Sequence, residues 1–393
     1  MGTGISHFWA LGFKGFVALA AISSTIAICR AETGISGDDI VFGQSAAFDG
    51  PAASLGTAFR HSLLAAFEEA NRSGGVAGRS LKLLSYDDGY EPEQAITNTH
   101  RLIDEDGVFA LVGEVGTPTS RAVQPIAEER GVPFVGPFTG AAFLRNPALT
   151  TVINIRASYD QEAASLVDYL TQELGLSRIA VLYQDDTFGR AGLNGVVTAL
   201  DRHGLELVAD GTYRRNTTAV KRALLAIRRA QPEAVIIVGA YKPTATFIRT
   251  ADRIGMDTVF AALSFVGGEA LAVELGPLDE KVIVSQVVPP LDDRDNPLVT
   301  RFENALSTSA PEAEISFVGL EGYIAGRLIV EALARLGEQP TRAQFLDLFH
   351  SPVTFDIDGL LLEYALGDNQ GSDQVYLTVI QPDGTLLTLD QNE

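Results

Sequence analysis

The chain has 393 residues, 46% hydrophobic and 20% charged, with 29 Lys and Arg against 50 Asp and Glu and a net charge of −21. That length predicts two domains or one large one, the apolar share excludes global disorder, and the acidity makes DNA, RNA and anionic lipid poor partners. The single cysteine, Cys29, excludes a disulfide framework, a cysteine-based zinc site and an iron–sulfur cluster, and no two of the five histidines have metal-ligand spacing.

At the start of the chain, Lys14 precedes an uncharged stretch from Gly15 to Cys29, shorter than the ~20 residues a bilayer span needs. Cys29 and Ala31, small residues two apart, precede Glu32 and mark Ala31/Glu32 as a signal-peptidase site, with residues 1–31 a signal peptide. A retained membrane anchor is the alternative; a lipoprotein reading of Cys29 is disfavoured by the bulk of Ile28. Cleavage removes Lys14 and Arg30 and no acid, so the net charge goes from −21 to −23 and no cysteine remains.

The mature chain then alternates. Residues 40–45 read as a buried strand, 57–72 as a helix, 81–86 as a strand, 93–104 as a helix, 108–112 as a strand, 119–130 as a helix and 133–136 as a strand. After Asn154 come a helix at 160–174, a strand at 178–183, a helix at 189–202 and a strand at 206–209. The alternation continues through 217–230, 234–238, 243–254 and 258–262. A strand at 282–288 and helices at 298–307 and 317–336 follow, and 374–387 is a hairpin turning at Pro382-Asp383-Gly384. The strands are continuous apolar runs, as in parallel sheets covered on both faces. The fold class is therefore α/β, with doubly wound open sheets.

One repeat is informative. Val112-Gly113 opens a loop that reaches Pro118-Thr119 and a helix ended by Gly131; Val238-Gly239 opens a loop that reaches Pro243-Thr244 and a helix that reaches Gly255. Pro is favoured at a helix start because its missing N–H costs nothing there. Two similar lobes would each carry such a loop at the carboxyl end of a strand, where open α/β sheets bind ligands.

Enzyme signatures are absent: no G-x-S-x-G elbow, phosphate-binding G-x-x-x-x-G-K-[ST] loop, H-E-x-x-H or G-x-G-x-x-G occurs, and neither catalysis nor a cofactor is expected. The paired acids Asp87-Asp88, Asp185-Asp186 and Asp292-Asp293 read as loop solvation or helix N-terminal charge, since neighbours on a strand point opposite ways.

Several ordered segments carry a resemblance. They are Gly43-Gln44-Ser45 through Asp49-Gly50-Pro51 and Leu55-Gly56; Gly74-Gly75-Val76-Ala77-Gly78-Arg79; Tyr86-Asp87-Asp88; Val112-Gly113; Gly131-Val132-Pro133 with Gly136-Pro137; Asp185-Asp186-Thr187-Phe188-Gly189; and Gly239-Ala240-Tyr241-Lys242-Pro243. In their order and spacing the chain resembles the leucine/isoleucine/valine-binding family of periplasmic substrate-binding proteins that serve ABC transporters, over nearly all of residues 35–390. The resemblance implies two lobes joined by three crossovers, one from residues 35–155 plus 289–352 and the other from 156–288 plus 353–393. It implies a ligand trapped between them by hinge closure. It further implies a periplasmic monomer that hands a small carboxylate to a membrane permease; a sensing module that reports occupancy to a separate receptor is the alternative.

The resemblance also assigns pocket residues. Thr117, at a helix start, matches the hydroxyl residue that binds the ligand carboxylate, and Phe138, Thr139 and Gly140 match the loop that completes that site. Leu55 and Val115 match side chains facing the ligand, and Phe188 and Tyr241 match second-lobe aromatics. Where amino-acid binders hold the α-ammonium with an acid, the match here is Ser264; Glu114 is the alternative partner, pointing either inward or to solvent. Phe48, Phe138, Tyr159, Phe188 and Phe265 would crowd the pocket with rings. The ligand is thus an amino acid, toward which the resemblance leans, or an apolar or aromatic carboxylate without an amine.

Overall fold

The computed structural model describes residues 1, 2, 4, 32–277 and 281–389. The stretch from Gly15 to Cys29, and Ala31, lie outside them.

The first lobe runs β1 (Asp39–Ala46), α1 (Ala53–Arg72), β2 (Ser80–Asp87), α2 (Pro92–His100), β3 (Ala110–Val112), α3 (Thr117–Arg130), β4 (Phe134–Val135) and β5 (Val152–Ile153). The chain crosses into α4 (Tyr159–Asp168), β6 (Ile179–Gln184), α5 (Thr187–Arg202), β7 (Ala209–Tyr213), α6 (Lys221–Arg229), β8 (Ala234–Val238), α7 (Tyr241–Arg253), β9 (Val259–Ala262), α8 (Gly268–Leu275) and β10 (Val282–Gln286). It returns for α9 (Pro297–Ser309), α10 (Phe317–Leu336), α11 (Arg342–Phe349), β11 (Val353–Ile357) and β12 (Leu360–Tyr364), and crosses again to β13 (Tyr376–Ile380) and β14 (Leu386–Thr388).

The first sheet is parallel, in the order β2-β1-β3-β4-β5; the second runs β14-β13-β10-β9-β8-β6-β7, parallel except for β13, which is antiparallel to both of its neighbours. Both are doubly wound, so the α/β expectation stands. The central strands β6 (IAVLYQ) and β8 (AVIIV) are buried at every position, because helices cover both faces. The edge strand β7 alternates instead, which is why an apolar run misplaced it at 206–209.

Lobe one is closed on one side by α1 packed on α10. Small residues allow the approach: a Cβ at Gly322 would stand 2.4 Å from the Phe59 carbonyl oxygen, and one at Gly326 2.6 Å from the Ala66 Cβ. The hairpin β11–β12, expected in the second lobe, packs on this one. Phe355 stacks on Phe349 of α11 at 5.2 Å, Tyr364 meets Phe349 edge-on at 4.9 Å, and Arg335 of α10 lies 4.1 Å over Phe355. The third crossing, expected after 352, therefore follows Tyr364, where residues 369–371 pair with Asn154 beside β5.

Candidate ligand site between the lobes

Two strand-end loops build the first lobe's half. After β3, Gly113 (φ +66) turns the chain, and Val115 stays bridged to Phe138, with the Phe138 N–H donating to the Glu114 carbonyl at 2.8 Å. Gly116 has φ +100, and a Cβ there would stand 2.1 Å from the Tyr90 ring, so only glycine fits. It delivers Thr117 as the first residue of α3. The loop after β4 delivers Thr139, and the Thr117 and Thr139 hydroxyls lie 2.6 Å apart, fully buried.

Tyr159, at the start of α4, packs against Gly140, whose carbonyl accepts the Tyr159 N–H at 2.7 Å. Its hydroxyl lies beside the threonine pair, buried and without a hydrogen-bond partner, and burial raises its pKa. Three hydroxyls thus meet at the start of a 14-residue helix whose first N–H groups lack intrahelical partners. Together they can donate to an anion the size of a carboxylate.

An aromatic wall stands beside them. Phe138 lies 5.4 Å from Phe265, Phe265 4.6 Å from Phe188, and Phe188 5.4 Å from Tyr159. Phe188 is set by Asp186, which caps α5 by accepting the Phe188 N–H at 3.0 Å. This is the helix-terminal role expected of that acid pair. Tyr241, the first residue of α7, accepts the Ser54 N–H at 3.3 Å through its hydroxyl, next to Leu55. Leu55, Val115, Thr117, Phe138, Thr139, Gly140, Tyr159, Phe188, Tyr241 and Phe265 are thus all on loops or helix starts at the junction of the lobes.

Two expectations fail on geometry, those for Phe48 and Ser264, and a third, for Glu114, is resolved. Phe48 is half-buried under Arg60, 4.2 Å from its ring, away from the wall. Ser264 is engaged: its hydroxyl bonds Arg156, and its N–H donates to Glu162 at 2.8 Å. Of the two orientations open to Glu114, the structure has the inward one, with its Oε1 buried and without a hydrogen-bond partner. It is 4% exposed, buried beside Asp88, and burial first and the Asp88 charge second push its carboxyl well above the usual range. Burial likewise pushes Asp88 up to about 6, although Ser45 and the Tyr90 N–H both donate to it at 2.8 Å.

Sequence reasoning missed Arg156, Tyr90 and Gln184. Arg156, buried in the first crossing, pairs with Glu162 at 2.9 Å and Glu321 at 3.5 Å and lies 5.0 Å over the Phe138 ring. Burial opposes its charge, and the two carboxylates outweigh burial and keep it charged; burial pushes Glu321 up to about 7. Tyr90 adopts φ +62, rare for a large side chain, and its hydroxyl accepts from Gln184 of the other lobe at 3.2 Å. Its ring lies 5.8 Å from Phe265. A lone arginine in Asn154-Ile155-Arg156 and the Asp88-Gly89-Tyr90 turn were the only signals, and neither says what it faces.

Farther contacts tie the lobes: Arg215 pairs with Glu91 at 2.7 Å, Asn216 donates to the Gly89 carbonyl at 3.0 Å, and the Phe317 N–H donates to Glu269 at 3.1 Å. Among the described residues no group of three or more His, Cys, Asp or Glu side chains is placed to hold a metal ion, and no helix is long and apolar enough to cross a membrane.

The model of a periplasmic binding protein family matches residues 39–385. A crystal structure from Rhodopirellula baltica, described as a possible leucine/isoleucine/valine-binding protein, is 40% identical, with a TM-score of 0.85 over 90% of this chain and 96% of that one. A substrate-binding periplasmic protein from Ralstonia solanacearum is 28% identical, with a TM-score of 0.80 over 89% of this chain and 100% of that one. Among curated relatives, an amino acid binding protein of Pseudomonas aeruginosa is 25% identical over 67% of this chain and 69% of its own length. Leu/Ile/Val-binding protein homolog 7 of Brucella abortus is 24% identical over 80% and 82%.

Proposed function

The chain belongs to the leucine/isoleucine/valine-binding family of periplasmic binding proteins, and from that premise we propose that it captures a small, amine-free carboxylate between its lobes for an ABC importer. Proteins of this family bind substrates rather than transform them, are exported to the periplasm and usually work with ABC-transporter permeases. In this reading residues 1–31 are removed, the chain performs no chemistry, and a permease recognises the closed monomer.

The observation that carries the reading is the Thr117–Thr139 hydroxyl pair, beside the unpartnered Tyr159 hydroxyl, at the first turn of α3. A carboxylate would accept from all three, and the wall of Phe138, Phe188 and Phe265 would cover an apolar body. The preference for an amine-free ligand rests on Ser264 and Glu114. Ser264 is held by Arg156; Glu114 keeps a buried Oε1 without a hydrogen-bond partner, but burial beside Asp88 pushes its carboxyl toward the neutral form, which does not match the charge of an ammonium. An unpaired ammonium between the lobes would be prohibitive.

Relatives named for leucine, isoleucine and valine supply the competing ligand class. Paired calorimetric titrations separate the two: leucine against 4-methyl-2-oxopentanoate, and phenylalanine against 3-phenylpropanoate. The amine-free member of each pair should bind more tightly. Tighter binding of both amino acids would return the site to amino-acid capture.

A further inference from the structure

Lobe two grips one short segment of lobe one, the Gly89-Tyr90-Glu91 turn after β2. Gln184, the last residue of β6, donates to the Tyr90 hydroxyl at 3.2 Å. Arg215 donates to Glu91 at 2.7 Å, and Asn216 donates to Glu91 at 2.8 Å and to the Gly89 carbonyl at 3.0 Å. Tyr90 at φ +62 and Asn216 at φ +57 both lie in the left-handed region, which non-glycine residues keep only where their surroundings fix them. The two meet across the junction, since Asn216 bonds the residues on either side of Tyr90.

The side chains that make this grip also set the aromatic wall. One oxygen of Asp186 accepts the Phe188 N–H at 3.0 Å and the Gly189 N–H at 3.4 Å, and the other accepts from Gln184 at 2.7 Å and Arg215 at 3.1 Å. The Gln184 side-chain carbonyl accepts the Tyr213 hydroxyl at 3.2 Å, and that hydroxyl accepts the Ala240 N–H at 3.3 Å, one residue before Tyr241. From the other lobe, the Tyr90 ring lies against Gly116, which precedes Thr117, and 5.8 Å from Phe265. Arg215 stands between acids of both lobes, Glu91 and Asp186. An isolated exposed pair is worth little, but Asp186 is only 14% exposed and is already fixed as the cap of α5. Without Arg215 the two acids would approach as like charges when the lobes close.

We propose that Arg215 is a positioning residue for ligand capture: from the rim of the cleft it latches lobe two to Glu91 of lobe one and, through Asp186, holds Phe188 in the wall. The latch therefore forms together with the site, and losing it lowers the share of molecules that present a complete site to the ligand. The inference rests on the interlobe carboxylate reading above for its probe and adds the side chains that couple closure to the wall.

Calorimetric titration of the mature protein with 3-phenylpropanoate tests it in four variants: Arg215→Gln, Arg215→Lys, Glu91→Gln and the double Glu91→Gln/Arg215→Gln. Arg215→Gln should weaken binding about tenfold, the scale of one hydrogen bond to a charged group. Arg215→Lys, which keeps a cation between the two acids, should recover part of that loss. Glu91→Gln should weaken binding less, and the double variant should bind no more weakly than Arg215→Gln alone, because both act through one latch. Thermal melts without ligand check folding, and Glu91→Gln, at a half-exposed position, keeps the test open if an Arg215 variant fails to fold. Unchanged affinity in the folded variants, or losses that simply add in the double, would overturn the latch and leave the carboxylate reading in place. If the wild type binds no carboxylate, that reading falls and small-angle scattering without ligand decides the latch. Arg215→Gln or Glu91→Gln should then be less compact than the wild type, and identical profiles would overturn the proposal.

Discussion

Thr117 opens a helix and also offers a hydroxyl to the site, and the two roles are separable. Pro118 follows it and Gly116 precedes it, so the backbone turn does not depend on the hydroxyl. Thr117→Ala should therefore weaken carboxylate binding by about 1–3 kcal/mol, the cost of leaving a buried acceptor short of a donor. The melting temperature without ligand should stay within a degree or two, on the order expected where a substitution is small and well accommodated. Titration against one bound carboxylate measures the first and a thermal scan the second. Thr117 and Thr139 were assigned by the family resemblance, and the structure brings their hydroxyls together on the loops after β3 and β4. Glu114 lies in the same loop and was not legible. Its surroundings depend on Asp88, which arrives from a different strand, and a sequence does not say that the two acids are buried side by side. Their pairing makes a pH prediction. Both carboxyls are raised in the folded state above the ~4 of an unfolded chain, so the folded protein holds more protons. Stability contributed by these groups is present at low pH and is lost as pH rises through about 6 for Asp88, and further for Glu114. Glu114→Gln removes that loss at its site: it should melt close to wild type at pH 5 and clearly higher at pH 8. A variant less stable than wild type at pH 8 would mean that the carboxyl itself supports the loop.

Among the elements, the segment from β5 through α4 has the most to hold together, because it carries Arg156 and Glu162 into the hinge. Arg156 joins Glu162, Glu321 of α10 and Ser264 after β9, so lobe-one and lobe-two elements share one buried ion cluster. Arg156→Leu would strand two buried carboxylates and should cost about 3–5 kcal/mol in urea unfolding. A loss under about 1 kcal/mol would show that water or protonation replaces the pair. Elements with a strong apolar signal were readable: β8 is AVIIV, and α10 was placed at its observed bounds. The short helices α8 and α11 and the hairpin β11–β12 were not read. Their burial comes from distant partners, as when Phe349 meets Phe355 and Tyr364, and β11 and β12 each bury only two of five residues. The lobe to which that hairpin belongs is likewise decided by packing on α10 and α11, which no local pattern records.

Over the whole molecule, two sheets of similar winding meet with their strand-end loops facing each other, and the repeat of loop, proline and helix in each half carried that arrangement in the sequence. The contacts that bring the halves together were beyond it: Tyr90 with Gln184, Arg215 with Glu91 and Tyr241 with Ser54 join residues far apart in the chain. A ligand that binds only the closed form stabilises it by mass action, and the shift grows with ligand concentration. The central claim, that the lobes close on a carboxylate held by Thr117, Thr139 and Tyr159, is tested most directly by a thermal-shift screen of the mature protein. Each apolar carboxylate is run beside its alcohol and its primary amide at equal concentration. The carboxylate should raise the melting temperature, while the alcohol and amide of the same skeleton leave it unchanged. No shift with any carboxylate, or an equal shift with the matched alcohol, would contradict the claim.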